Sequence, residues 1–124
     1  NSVITVRFIS EKLNKSKTYL EQIFTTLKKH NIVKSFRGNN GGYILNKGLN
    51  EIYLYDILNM CENNITFKNK LENINLYPEI TEAIISVIDE LNLILKNELT
   101  KITIEDIADI YSYLSNKNNP MYYI

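Results

Sequence analysis

The chain has 124 residues, of which 44% are hydrophobic and 23% charged, so it is long enough to bury a core and is not composed like a disordered protein. No run of apolar residues approaches the length of a membrane span, which argues against a membrane protein. A single cysteine, Cys61, rules out an internal disulfide and fits a reducing, cytoplasmic compartment.

The net charge of zero hides an uneven distribution. Residues 1–47 hold nine basic and two acidic side chains, a net charge of +7, whereas residues 48–124 hold five basic and twelve acidic ones, a net charge of −7. This contrast indicates either that the first half meets a polyanion or that two solvated faces simply differ in sign. Charge alone leaves both interpretations open.

Two short helices are predicted near the start of the chain. In residues 4–14, apolar side chains recur close to helical spacing between Thr5, a suitable N-cap, and Asn14, a suitable stop. Residues 16–31 begin with Ser16 as the next N-cap and carry a second apolar stripe. Two short helices joined by about two or three residues are typical of a helix-turn-helix, whose second helix usually contacts the bases.

The stretch FRGNNGGYIL, residues 36–45, predicts a tight turn between two strands. Glycine and asparagine tolerate positive φ at the least steric cost, so we expect the turn to survive with Asn39 and Asn40 at its tip. A phosphate-cradling loop normally runs from a strand into a helix, whereas this stretch joins two predicted strands. Helix, helix and a two-stranded ribbon is the order of a winged helix, so the hairpin is interpreted as the wing.

The second half is predicted to be helical. Residues 51–62 form an extended entry followed by a helix, and a long helix starts at Glu79. Residues 103–114 form a further helix, with Thr103 as N-cap and Asp106 near a capping-box position.

The long helix carries an apolar stripe that exceeds what a winged helix needs for its own core. A second copy of the chain is the simplest cover, although the stripe could also fold back on the first domain. The predicted dimerisation residues are Ile80, Ile84, Val87, Ile88, Leu91, Leu95 and Leu99.

The predicted fold class is therefore mainly α with a small two-stranded β-wing (α+β). We expect a winged helix-turn-helix DNA-binding domain at residues 1–62 and a linker at 63–78. The dimerisation helix and a following helix span 79–114, and a loose tail spans 115–124.

Residues 9–45 resemble the winged-helix transcription regulators of the Rrf family. The most specific parts are TYLEQIF at 18–24 and the arginine, glycine-rich turn and tyrosine at 37–43. DILNMCE at 56–62 and TIEDIAD at 103–109 also match family positions. The resemblance implies a bacterial homodimer, expected to be a repressor, whose second helix enters the major groove of a palindromic double-stranded DNA operator.

Carried over by position, DNA contacts are predicted at the second helix and in the wing. They are Ser16, Lys17, Thr18, Tyr19, Glu21, Gln22, Lys28, Arg37, Gly41 and Gly42. The chemistry agrees, because Gln22 can make two hydrogen bonds to adenine and Glu21 can accept from cytosine, while Arg37 suits a narrow minor groove. Tyr19 can hydrogen-bond a phosphate or bury its ring in the core.

In three places the sequence departs from the family pattern. The family usually begins with another helix before Ile4, so we expect an amino-terminal segment to be missing. Lys15 stands where an apolar residue is usual, and Asn39–Asn40 replace part of the usual glycine and proline set of the wing. Gly41 and Gly42 remain, and are predicted to let backbone N–H groups approach phosphates.

Many relatives hold an iron–sulfur cluster with cysteines that precede the long helix. Residues 63–78 contain no cysteine, and Cys61 alone cannot ligate a cluster, so neither a cofactor nor a metal is predicted. Cys61 is interpreted either as a small buried hydrophobe or as a thiol sensor. His30 ends the second helix, where it suits a cap or a phosphate contact better than a metal site. An effector or a partner protein is left open.

A second hypothesis is a winged-helix protein-interaction module that has lost DNA binding. Lys15 and the altered wing tip favour it, and a salt titration of DNA binding distinguishes the two hypotheses. An enzyme is not predicted, because the sequence lacks a nucleophile with a base, a metal constellation and a phosphate-binding loop that opens a helix.

Overall fold

The computed structural model describes residues 2–62 and 77–118. Within them, five α-helices and one two-stranded sheet occur in the order α1 (Val6–Leu13), α2 (Lys17–Lys29), β1 (Val33–Phe36), β2 (Gly42–Leu45), α3 (Leu54–Glu62), α4 (Pro78–Leu99) and α5 (Ile104–Lys117). The predicted class, mainly α with a two-stranded wing, is confirmed. None of these helices is long and apolar enough to cross a membrane.

Side chains cap both helices before the sheet, as the sequence predicts. Thr5 accepts the N–H of Phe8 at 3.1 Å, and Ser16 accepts the N–H of Tyr19 at 3.2 Å. Because each cap satisfies an N–H that has no partner inside its helix, α1 and α2 each begin at the residue after the cap. α1 stops at Asn14, which adopts the left-handed conformation with φ of 51°.

β1 and β2 form an antiparallel hairpin. Its register runs from Val33 opposite Leu45 to Phe36 opposite Gly42. The segment before α1 adds to this hairpin, because Ile4 and Tyr43 donate their N–H groups to each other's carbonyl, each at 2.8 Å. The start of the chain is thus hydrogen-bonded to the wing.

The core around the hairpin is small. Leu20, Ile32 and Val33 are the buried hydrophobic residues of this part of the described chain, with exposed fractions of 4%, 6% and 6%. Leu20 comes from α2 and Val33 from β1, so burying them holds the second helix against the wing. α1 in turn packs on α2.

The chain divides into two compact units between Glu51 and Ile52, whereas the sequence-based division ends the first domain at Glu62. The difference comes from a long-range backbone contact that sequence patterns do not reveal. Tyr53 pairs with Thr103, and hydrogen bonds on either side of this pair hold the entry of α3 beside the entry of α5. α3 also packs on α4, so it groups with the second unit.

α4 begins one residue earlier than predicted, at Pro78 rather than Glu79. Proline is well tolerated at a first helical position, because the N–H that it lacks would have no partner there. The rest of the predicted linker, residues 63–76, lies outside the described residues.

α5 begins with the capping box that the sequence suggests. Thr103 accepts the N–H of Asp106 at 3.2 Å, and the Asp106 carboxylate accepts the N–H of Thr103 at 2.8 Å. The backbone bond from Thr103, and then the bond from its hydroxyl, lower the pKa of Asp106.

The predicted tail is wrong for residues 115–117, because α5 continues to Lys117. The apolar stripe on which the prediction depended ends at Leu114, but the helix needs no further apolar residue to extend by another turn. Lys117 also suits the negative end of the helix dipole. Residues 119–124 of the predicted tail lie outside the described residues.

Candidate nucleic-acid interface

The turn between α1 and α2 is closed by hydrogen bonds. The Ser10 hydroxyl donates to the carbonyl of Lys15 at 2.6 Å, and the Lys15 N–H donates to the carbonyl of Ser10 at 3.2 Å. The left-handed Asn14 reverses the chain between them, and Ser16 starts α2 directly afterwards. Lys15 is exposed, and its backbone makes the turn, so an apolar side chain is not needed there.

The start of α2 presents the polar residues predicted to contact DNA. With the N-cap Ser16, six of them are exposed, namely Ser16, Lys17, Thr18, Tyr19, Glu21 and Gln22. Tyr19 has an exposed fraction of 53%, so its ring is not in the core, which leaves the phosphate interpretation. Buried Leu20 anchors this turn from the opposite side.

Helical geometry places part of this set on the face directed away from Leu20. At about 100° per residue, Thr18 and Gln22 lie opposite Leu20, and Thr25 and Lys29 continue the same face. Lys29 is exposed on this face and, like its neighbour Lys28, suits a contact with phosphate or with solvent.

The wing tip is a turn in which the Gly41 N–H donates to the Gly38 carbonyl at 2.9 Å. Within this turn, positive φ occurs at Gly38 (110°) and Gly42 (153°) but not at Asn39 or Asn40. The turn is kept, as the sequence predicts, but its positive φ angles fall on glycines and not on the asparagines. Glycine adopts that region with no Cβ penalty, so the flanking glycines take the strained positions and the asparagines keep ordinary geometry.

Close packing is a further reason for the two remaining glycines of the wing. A Cβ on Gly41 would lie 2.6 Å from the carbonyl oxygen of Phe36, and a Cβ on Gly42 would lie 2.5 Å from that of Ile4. The Gly41 N–H is already used within the turn. Arg37 is exposed, and the described residues offer it no hydrogen bond or ion pair, so its guanidinium is available to a ligand.

α2 and the wing are joined by contacts that no sequence pattern predicts. The rings of Phe24 and Tyr43 stack with centroids 4.5 Å apart. The side chain of Asn46 donates to the carbonyl of Asn31 at 3.0 Å, directly after the end of β2. No local pattern marks Asn46, which in the sequence is only a polar residue after an apolar run.

The predicted dimerisation stripe of α4 separates into two sets. Ile80, Val87 and Leu91 are exposed, with exposed fractions of 47%, 57% and 49%, whereas its other four members are half-buried. Ile94, exposed by 53%, continues the exposed set, whereas the predicted stripe steps from Leu91 to Leu95. An apolar groove lined by Ile80, Val87 and their neighbours runs along the first part of this face.

Cys61 lies near the end of α3 and is exposed, so the buried-hydrophobe interpretation is wrong, and a role in sensing stays a prediction. His30 occupies the C-cap position of α2. Within the described residues, no group of three or more histidine, cysteine or acidic side chains is arranged to hold a metal ion.

A family model described as Rrf2, an iron-dependent transcriptional regulator, matches residues 1–110. The HTH-type transcriptional regulator IscR of Pectobacterium carotovorum is 40% identical over 57 residues, which cover 46% of this chain. That match spans only 35% of the length of the curated relative.

The chain resembles solved structures over a larger share of its length. CymR, the global cysteine regulator of B. subtilis, has 31% sequence identity and a TM-score of 0.66, covering 88% of this chain and 80% of its own. IscR of T. potens has 25% identity and a TM-score of 0.63, covering 89% of this chain and 72% of its own. The chain belongs to the Rrf2 family of transcriptional regulators.

Proposed function

We propose that this chain is a homodimeric, sequence-specific DNA-binding regulator, a cytoplasmic repressor whose bound dimer covers its operator. The observation that carries the proposal is the exposed polar face at the start of α2, fixed to a wing whose Arg37 has no partner among the described residues. Both elements belong to one compact unit, and residues 1–47 carry a net charge of +7. A surface of that charge attracts the phosphates of DNA.

In this proposal α2 enters the major groove. Gln22 forms two hydrogen bonds with an adenine, and Glu21 accepts one from the amino group of a cytosine. Ser16 accepts a backbone N–H as the N-cap, which leaves its own proton to donate to a phosphate. Lys17, Lys28 and Tyr19 are suited to further phosphate contacts, which position the protein without selecting a sequence.

The wing approaches the adjacent minor groove. Arg37 supplies the positive charge that the negative potential of a narrow minor groove favours. Gly41 and Gly42 contribute by keeping the tip thin, so that Arg37 comes close to the duplex. In a symmetric dimer the same contacts repeat at a second half-site, about 34 Å away or a multiple of that distance, which implies a palindromic operator.

The dimer is proposed to form through the exposed apolar face of α4. The residues of this face are Ile80, Val87 and Leu91, with Ile94 as an addition. A self-complementary patch of this kind suits a dimer with two-fold symmetry. Half-buried Ile84, Ile88, Leu95 and Leu99 support this face from within the protomer.

Selection of bound sequences from random DNA provides the operator for the test. We expect operator affinity to fall steeply with salt, and Arg37→Ala to weaken binding about 10-fold or more, as loss of a specific arginine contact does. Gln22→Ala should relax the preference at one adenine. The matched control is Arg7→Ala, which removes the same charge from α1, where Arg7 pairs with Glu11; its effect should stay within about threefold.

Two outcomes would contradict these assignments. If Arg37→Ala and Gln22→Ala bind the operator like the wild type, these residues are not the contacts. If affinity for DNA is absent, or does not respond to salt, the winged helix acts as a protein-interaction module instead.

We further infer that these residues bind no iron–sulfur cluster, although the family is described as iron-dependent. The 124 residues contain one cysteine, whereas a cluster needs several thiolates or substitute ligands at one place. The protein purified without oxygen should lack cluster absorbance in the visible range, and elemental analysis should find no stoichiometric iron. One iron or more per chain would overturn this inference.

A further inference from the structure

The chain turns sharply between the end of α2 and the start of β1, and hydrogen bonds fix the conformation of this corner. Asn31 adopts the left-handed conformation with φ of 59°, and its N–H donates to the carbonyl of Lys28 at 3.0 Å. The N–H of Ile32 donates to the carbonyl of Leu27 at 2.9 Å. These two bonds form a Schellman motif, which ends the helix and turns the chain sharply towards β1.

Asn46 ties the other end of the wing to this same corner. Its N–H donates to the carbonyl of Ile32 at 2.8 Å, and its side-chain amide donates to the carbonyl of Asn31 at 3.0 Å. Asn46 directly follows Leu45, the last residue of β2. Both strands of the wing therefore leave from one hydrogen-bonded point at the end of α2.

The position of Arg37 depends on the angle at this point. At about 3.3 Å per residue, Arg37 lies roughly 13 Å along β1 from Val33, so a rotation of about 10° at the base would move it by roughly 2 Å. A hydrogen bond to DNA does not survive a displacement of that size without rearrangement. The Phe24–Tyr43 stack resists the rotation from one side of the hairpin, and the Asn46 amide fixes the base itself.

We propose that Asn46 is a positioning residue for DNA binding, which sets the angle between α2 and the wing so that Arg37 and Gln22 engage one duplex together. This inference rests on the proposed function, because it assumes that Arg37 contacts DNA. Asn46 itself touches no DNA in the proposal. Its side chain acts only through the carbonyl of Asn31.

The test is a double-mutant cycle on operator affinity, with Asn46→Ala, Arg37→Ala and the double variant. Asn46→Ala keeps the backbone bond to Ile32 and removes only the amide bond to Asn31. We expect Asn46→Ala to weaken operator binding about fivefold in the wild-type background and less than about twofold once Arg37 is gone. Circular dichroism at the assay temperature checks that each variant is folded.

Asn50→Ala is the matched control, because it removes an exposed amide from the same unit but no hydrogen bond seen in the described residues. It should leave operator affinity unchanged. Equal losses from Asn46→Ala in both backgrounds, or no loss in either, would overturn the positioning role. If Arg37→Ala alone has no effect, the wing contact of the proposed function fails, and the positioning role fails with it.

Discussion

Leu91→Glu is expected to convert the proposed dimer into monomers and to abolish operator binding at concentrations that saturate the wild type. In the protomer Leu91 is 49% exposed, so a carboxylate there stays hydrated and the protomer still folds. In the proposed dimer the same carboxylate would be buried without a partner, which costs about 3–5 kcal/mol, or more than a hundredfold in association. Sedimentation equilibrium with and without operator DNA measures both effects.

Leu93→Glu is the matched control on the same helix. Leu93 is 59% exposed, but it lies roughly 200° around the helix from Leu91, away from the proposed interface. The control should remain a dimer and bind the operator normally. If both variants remain dimers, the interface does not include this face of α4. If both become monomers, the assignment of one face is wrong.

Gly42→Ala is expected to have the largest effect on the stability of the first unit. The new Cβ would lie 2.5 Å from the carbonyl oxygen of Ile4 and 2.8 Å from a methyl group of Val3. A backbone oxygen cannot rotate away, and φ of 153° is unfavourable for alanine. The Ile4–Tyr43 pair should therefore separate, at a cost of about 2 kcal/mol or more, with a fall of roughly 10 °C in Tm.

Thermal unfolding followed by circular dichroism measures this change. Gly48→Ala is the control, because the nearest atom to its added Cβ is the side-chain oxygen of Asn50 at 2.6 Å, which can swing aside. That variant should differ from the wild type by about 0.5 kcal/mol at most. If the Gly42→Ala variant has the same Tm as the wild type, the pairing of Ile4 with Tyr43 does not stabilise the wing.

Features set by neighbouring residues were predictable from the sequence. Thr5, Ser16 and Thr103 cap their helices as expected, because a cap is a bond between residues two or three apart and depends on little else. The two strands were also predicted, since a glycine-rich turn between apolar runs fixes a hairpin locally.

Contacts between distant residues were not predictable in this way. The pairing of Tyr53 with Thr103 moves α3 into the second unit, and neither residue differs from many others that make no such pair. The bond from Asn46 to Asn31 is of the same kind. At the wing tip the residue types were compatible with several turns, and the choice depended on which residue takes positive φ at the lower cost.

The split of the α4 stripe has a related cause. Spacing of three and four residues marks the side of a helix that is apolar, but it does not say which part of that side its own protomer covers. Val87 and Ile88 are neighbours in the sequence, yet one is exposed and the other half-buried. Which residues remain for a partner therefore depends on how α3 packs on α4.

Different residues of the wing tip determine its backbone conformation and its exposed chemistry, and this affects how the protein can evolve. Gly38, Gly41 and Gly42 meet the backbone requirements of the turn, through positive φ or close packing. Asn39 and Asn40 are exposed and have ordinary backbone geometry. Substitutions at the two asparagines therefore leave the hairpin intact, and a lineage can explore new chemistry there without losing the fold. In the proposed complex with DNA, the tip is a small evolvable site, at which preference for neighbouring DNA sequence can drift while the architecture is conserved.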